Sequence, residues 1–232
     1  MNILAFDAAA AACSAVLWRD GEIAAREWRA MARGHAETLV PMIEHVMGGT
    51  GYDRLTAIAV TVGPGAFTGL RIALATARGL SLATGVPAVG VTNFEVMARM
   101  ADEAWDRADT ILAVALETKR ADIYLQAFGC GGNQLTSPAS VAVPDIAQWL
   151  PEGTRQLAVA GDAALRLIAA LPGRIAATPI AGAGLPDAAI VAALAAESLT
   201  AAAPRSPAAA LRPLYLRPPD AALPKAGRRG DL

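Results

Sequence analysis

Apolar and polar residues alternate and cluster along this chain in a way that predicts strands and helices in regular succession. Asn2–Ala8 is an apolar run that reads as a buried strand ending in Asp7. Cys13–Arg19 and Glu22–Trp28 read as a hairpin around Asp20-Gly21, a strong turn dipeptide. Over Gly34–Met47, Leu39, Met42, Ile43 and Val46 recur at three- and four-residue spacing, predicting a helix that Pro41 kinks or truncates. A strand over Leu55–Val62 runs through Gly63-Pro-Gly65 into a helix from about Thr68 to Thr84, with Gly85 as its C-cap and Pro87 as a stop. A short strand, Val86–Val91, precedes a helix over Asn93–Arg107, with Phe94, Met97 and Met100 on one side.

From Thr110 a second, similar pattern begins. Ile111–Leu116 is an apolar strand, Asp122–Phe128 pairs with it, and Gly129–Gly132 makes a turn. Strand-like Ser140–Val143, a short helix from Pro144, a strand over Leu157–Ala160, and helices over Ala163–Leu171 and Pro186–Thr200 complete it. Each half opens with an apolar strand ending in an acid, Asp7 or Glu117, followed by a hairpin. This is a weak internal repeat that predicts two related lobes. The expected division is 1–107 for a first lobe, 108–200 for a second, and 201–232 for an extended Pro- and Arg-containing tail. The tail carries Arg205, Arg212, Arg217, Lys225, Arg228 and Arg229, better read as a solvated surface than as an RNA contact.

Composition narrows the function. The chain of 232 residues is 54% hydrophobic but only 5% aromatic, with a mean hydropathy of +0.38. Its net charge of −1 supplies no field for unaided binding of nucleic acid or an anionic membrane. Cys13 and Cys130 are too few for a disulfide framework or a zinc site, which suits a reducing cytoplasm. Asp7 interrupts the first apolar run too early for a signal peptide, and no apolar run reaches the ~18 residues of a membrane span. His35 and His45 would sit about 80° apart on one helix and nearly three turns apart along it, so they cannot share a metal ion. No Gly-x-Ser-x-Gly elbow is present for nucleophilic catalysis.

Two places remain as candidate chemistry. Asp7, at the end of a first strand, stands where actin-like and sugar-kinase-like folds manage magnesium and phosphates, but the following Ala8–Ala12 has no side-chain donor before Ser14. Capping of its own loop is the preferred reading of Asp7, with phosphate chemistry the alternative and Glu117 a weaker second case. The Gly63–Gly69 turn lacks the Lys-Ser/Thr pair of a P-loop. It reads either as an anion nest, with Asp7, Gly63, Gly65 and Thr68 as the nucleotide or anion contacts, or as a tight crossover with Thr68 capping the helix. Beyond it, apolar residues cover nearly the whole circumference of the helix, relieved only by Arg71, Thr76, Arg78 and Ser81, so one face must meet something other than its own sheet.

Ile3-Leu-Ala-Phe-Asp7, Cys13-Ser-Ala-Val-Leu-Trp18, His35 with Leu39-Val-Pro-Met-Ile43, Gly63-Pro-Gly-Ala-Phe-Thr-Gly-Leu-Arg-Ile72, Pro87-Ala-Val-Gly-Val91 and Tyr215-Leu-Arg217 resemble the TsaB, or YeaZ, family. The resemblance is dense over 1–125 and thin beyond, and the Gly-Pro-Gly-x-Phe-Thr-Gly-x-Arg string is its specific part. It implies an α/β, actin-like (sugar-kinase-like) two-lobed fold with a reduced second lobe. It also implies a non-catalytic subunit of the bacterial complex that transfers a threonylcarbamoyl group to the adenosine next to the tRNA anticodon. TsaD, the catalytic paralogue, and TsaE, an ATPase, are the implied partners, with a homodimer when alone and tRNA met only through the complex. The metal-binding His-x-x-x-His of TsaD is matched here by Asn93 and Met97, a poor pair for that metal. Ala8 and Ala9 replace the family's usual hydroxyl residues, and Glu117-Thr-Lys-Arg-Ala-Asp-Ile-Tyr124 lacks a turn glycine. No cofactor is expected on this chain alone, ATP or ADP being left to the interface of the complex. The expected partner contacts are His35, Leu39, Met42, Ile43, Val46, Leu70, Arg71, Leu74 and Arg78. The alternative is a small-molecule kinase of the same fold; the family's older description as a metalloprotease is a third reading.

Overall fold

The computed structural model describes residues 1–101, 105, 110–201 and 211–217. Its first half runs β1 (Asn2–Asp7), β2 (Ala12–Arg19), β3 (Glu22–Ala30), α1 (His35–Met47), β4 (Ala57–Thr61), α2 (Phe67–Thr84), β5 (Ala88–Val91) and α3 (Asn93–Ala101). The second runs β6 (Ile111–Glu117), β7 (Asp122–Phe128), β8 (Ala139–Ala142), α4 (Ile146–Trp149), β9 (Gln156–Ala160), α5 (Ala164–Ala169), β10 (Ala176–Pro179) and α6 (Ala188–Ala201). Arg19 pairs with Glu22 across a two-residue turn in which Asp20 and Gly21 both take positive φ, as the dipeptide predicts. α1 continues through Pro41, because its buried stripe of Leu39, Met42, Ile43, Val46 and Met47 outweighs one missing hydrogen bond.

The weak repeat of the sequence is a full duplication of topology. The two five-stranded sheets have the orders β3-β2-β1-β4-β5 and β10-β9-β6-β7-β8. In each, the first three strands are antiparallel neighbours and the last two add in parallel. That order is the actin-like arrangement, and the α/β two-lobed expectation holds. β10, an exposed edge strand, was not visible as a strand in the sequence, because Ala-Ala-Thr-Pro offers no apolar run.

Strand alternation sends side chains to two cores. Leu4 and Phe6 of β1 turn outward to α1 and α2, whereas Ile3 and Ala5 turn inward to a core shared by α3, α6 and both sheets. A third core lies under α4 and α5. α6 packs on β1, β2, β4 and β5, while α3 contacts β6 and β9. α6, which runs one residue beyond the expected boundary at 200, follows the second sheet in sequence but covers the first. Of the expected tail, Leu211–Arg217 lies against the first lobe, and Arg205, Lys225, Arg228 and Arg229 lie outside the described residues.

Candidate functional site

β1 delivers Asp7 to the end of the first sheet, where it is fully buried. The Thr61 hydroxyl, from the neighbouring end of β4, and the Ala9 N–H (3.2 Å) both donate to Asp7 Oδ1, while Oδ2 is buried without a partner. Burial pushes the carboxyl up from 3.8 to about 6, against the opposing pull of Thr61, Ala9, His35 and Ala8. His35, at the first turn of α1, sits over the same loop, its Nε2 3.1 Å from the Ala10 carbonyl oxygen. Thr61 was missed in the sequence, and its signal was a hydroxyl closing a β-branched run one strand away from an acid.

The glycines opposite are there for contact between backbones. A Cβ at Gly65 would overlap the Ala9 carbonyl, and one at Gly69 the Ala8 carbonyl. The Ala66 N–H donates to Ala9 O at 2.7 Å, so the chain itself fills the space an anion nest would offer. Of the anion contacts expected from sequence, Asp7, Gly63 and Gly65 meet at this junction and are buried or half-buried, but Thr68 is exposed. The capping expectation for Thr68 is also corrected: α2 starts one residue earlier, with Ala66 as N-cap and no side-chain cap. Ala8 and Ala9 are both fully buried, with their carbonyls packed against Gly69 and Gly65.

The second lobe repeats the arrangement with different parts. Gly161 follows β9 as Gly63 follows β4, with φ of 102° against 99°, and a Cβ on it would overlap the Ala115 carbonyl. Glu117 is tied to Arg166 at 2.6 Å and accepts the Lys119 N–H at 2.7 Å, and its own N–H donates to Asp162 Oδ1 at 2.8 Å. Nearby, Asp122 is held by Ser140, Thr118 and Arg217. Burial alone would raise its carboxyl, but the bonds from Ser140 and its own backbone, with Arg217 and Thr118, hold it below the usual value. Asn93 and Met97 are buried; Asn93 donates to Pro64 O at 2.9 Å, and its N–H donates to Gly63 O at 2.8 Å. Among the described residues no group of three or more His, Cys, Asp and Glu could hold a metal ion.

The expected partner contacts divide sharply. Leu39, Met42, Ile43, Val46, Leu70 and Leu74 are at most 3% exposed and pack on this chain's own first sheet, so they are corrected from contact residues to core. Periodicity finds an apolar stripe without saying which side covers it, and the larger side chains took the sheet. The outward face instead carries Val40, Pro41, Glu37 and Glu44 on α1 and Phe67, Arg71, Ala75, Arg78 and Leu82 on α2, with Leu82 86% exposed. Arg71 and Arg78 remain exposed; His35 faces the Asp7 loop.

Two duplicated sheets, an acid at the end of each first strand and helices between the sheets define an actin-like protein whose first loop is closed by its own backbone. A family model described as TsaD, tRNA N6-adenosine threonylcarbamoyltransferase, matches residues 29–222. The chain is 36% identical over 128 residues to the tRNA threonylcarbamoyladenosine biosynthesis protein TsaB of Escherichia coli, covering 53% of each. It is 31% identical to an uncharacterized protein of Mycobacterium tuberculosis over 74% of this chain and 77% of that one. A crystal structure from Pseudomonas aeruginosa, described as an uncharacterized protein similar to peptidase YeaZ, superposes with a TM-score of 0.79 at 26% identity, over 93% of this chain and 99% of that one. The chain spans about half the length of the curated TsaB proteins first matched. It belongs to the TsaD family, and among its members to TsaB/YeaZ.

Proposed function

We propose that this chain is a non-catalytic docking subunit of an assembly that transfers a threonylcarbamoyl group to tRNA, and that its outer α1–α2 face binds the catalytic paralogue, TsaD. TsaE is the third component of the reading, tRNA is met through the complex, and a second copy takes the same face when the paralogue is absent. One observation carries the proposal: the large exposed apolar side chains of α2, Phe67 and Leu82, lie with Val40 of α1 on the outside, while the Asp7 loop is sealed. A water-facing stripe of this kind on an otherwise well-packed helix is what a partner helix covers. The relatives' names supply the reaction; the closed loop supports a supporting role in it.

The test is co-purification with TsaD and TsaE, followed by tRNA modification with this subunit added or withheld. Leu82→Asp is expected to abolish capture of TsaD and the stimulation of modification. Capture at wild-type strength by that variant would refute the placement. Leu74→Asp is no substitute, because it buries a charge in the core and unfolds the chain.

A further inference from the structure

Residues 211–217 follow the second lobe in sequence but are strapped across the first. Leu211 is buried beside Gly90 of β5, in the core that α2 covers, and its carbonyl accepts from Arg78. The Leu214 N–H donates to Val62 O at 2.7 Å, and Arg217 reaches back to Asp122 of the second lobe at 3.0 Å. Between these anchors Tyr215 stays 47% exposed beside Phe67, which is 52% exposed. Their ring centroids are 5.8 Å apart with planes tilted by 30°. The Arg71 guanidinium stacks 3.6 Å over the Phe67 ring, and its Nε donates to the Tyr215 hydroxyl at 3.1 Å.

Two rings and a guanidinium are thus fixed to one another while still facing water. Tyrosine and arginine dominate interface hot spots, and groups already held in place lose little rotamer freedom on docking. The charge on this edge has one sign. α2 and residues 211–217 contain no Asp or Glu, while Arg71, Arg78 and Arg212 are exposed. Phe67 and Arg71 also begin the outward stripe that continues through Ala75, Arg78 and Leu82 at helical spacing.

We infer that the strap edge, Phe67, Arg71 and Tyr215 flanked by Arg78 and Arg212, is a second arm of the docking face and takes a carboxylate-bearing surface of the catalytic paralogue. This rests on the docking reading above, since the occupant is the same protein. It makes partner recognition depend on a segment that is distant in sequence from the two helices.

The experiment measures the Kd between the full chain and TsaD by calorimetry at two salt concentrations. Tyr215→Ala and Phe67→Ala are each expected to weaken binding about tenfold. Tyr215→Phe, which keeps the stacked ring, changes Kd by less than about threefold, and Arg212→Glu weakens binding and flattens its salt dependence. Thermal melts check folding; should Phe67→Ala melt early, Tyr215→Ala and Arg212→Glu decide. If Leu82→Asp abolishes binding while Tyr215→Ala and Arg212→Glu bind like wild type, the strap edge lies outside the interface and the inference falls with the docking reading intact. If wild type does not bind TsaD at all, the docking reading fails. If the variants keep TsaD but weaken the complex's grip on tRNA, the edge serves RNA by base stacking and the inference is overturned.

Discussion

The loop after β1 and the loop after β6 occupy one position in two copies of the same strand order, yet they are held by opposite means. In the first, Ala8 and Ala9 press their backbone against Gly65 and Gly69, and the acid, Asp7, is buried with one oxygen unpartnered. In the second, the acid, Glu117, stays half-exposed and is clamped by Arg166. Packing closes one end and ion pairing ties down the other. The duplicated topology fixes where the loops lie, while the local residues decide whether acid helps or harms each of them.

The largest effect should come from the glycines common to both designs. Gly69→Val and Gly161→Val each drive a side chain into a carbonyl oxygen, and each is expected to cost about 3 kcal/mol or more in denaturant unfolding. An unchanged midpoint for Gly69→Val would mean that the first loop is not packed as described. Next comes Asp7→Asn. The native carboxyl titrates near 6 rather than 3.8, so the folded state holds its proton more tightly than the unfolded chain does. Stability from this group is present below about pH 4 and is lost as pH rises through 6, a cost on the order of 3 kcal/mol at pH 7. The amide variant should therefore be more stable at pH 7, and its stability should be flatter between pH 4 and 6.

The second lobe has the reverse sign. Asp122 titrates below its usual value, so its contribution is present above that value and disappears in acid. Asp122→Asn should lose stability at neutral pH and weaken the pH dependence at the acid end. Arg166→Ala should cost about 1 kcal/mol, since both partners of its ion pair are roughly a third exposed and screened by solvent. Smallest of all, Leu82→Asp should change unfolding by less than about 0.5 kcal/mol, because its side chain touches little of the chain that carries it. Set beside its expected loss of partner binding, that near-zero value separates docking from folding.

Most elements were legible because they are written in local chemistry. Asp20-Gly21 set a two-residue turn, Gly85 capped α2 with its N–H on Ser81 O, and the acids at 7 and 117 marked the repeat. The failures share a cause: each needed a neighbour distant in sequence. Leu39 and Leu70 were apolar at helical spacing, but only the first sheet shows that they face inward. Thr61 becomes visible as a site residue only when β4 lies beside β1. Thr68 had the right chemistry for a cap, but α2 starts ahead of it, at Phe67, where the Ala66 N–H is held by Ala9 O.

The exchange of α3 and α6 between the lobes also has a consequence for synthesis. One face of the first sheet is bare until Ala188 and its neighbours leave the ribosome, although all five strands of that sheet are complete by Val91. Nearly a hundred residues of translation separate the two events, a delay of roughly five to twenty seconds at about 5–20 residues per second. Through that interval the nascent chain cannot cover Ile3, Ala5 and Val16 with α6, so the first lobe completes its core only when the end of the second has been made.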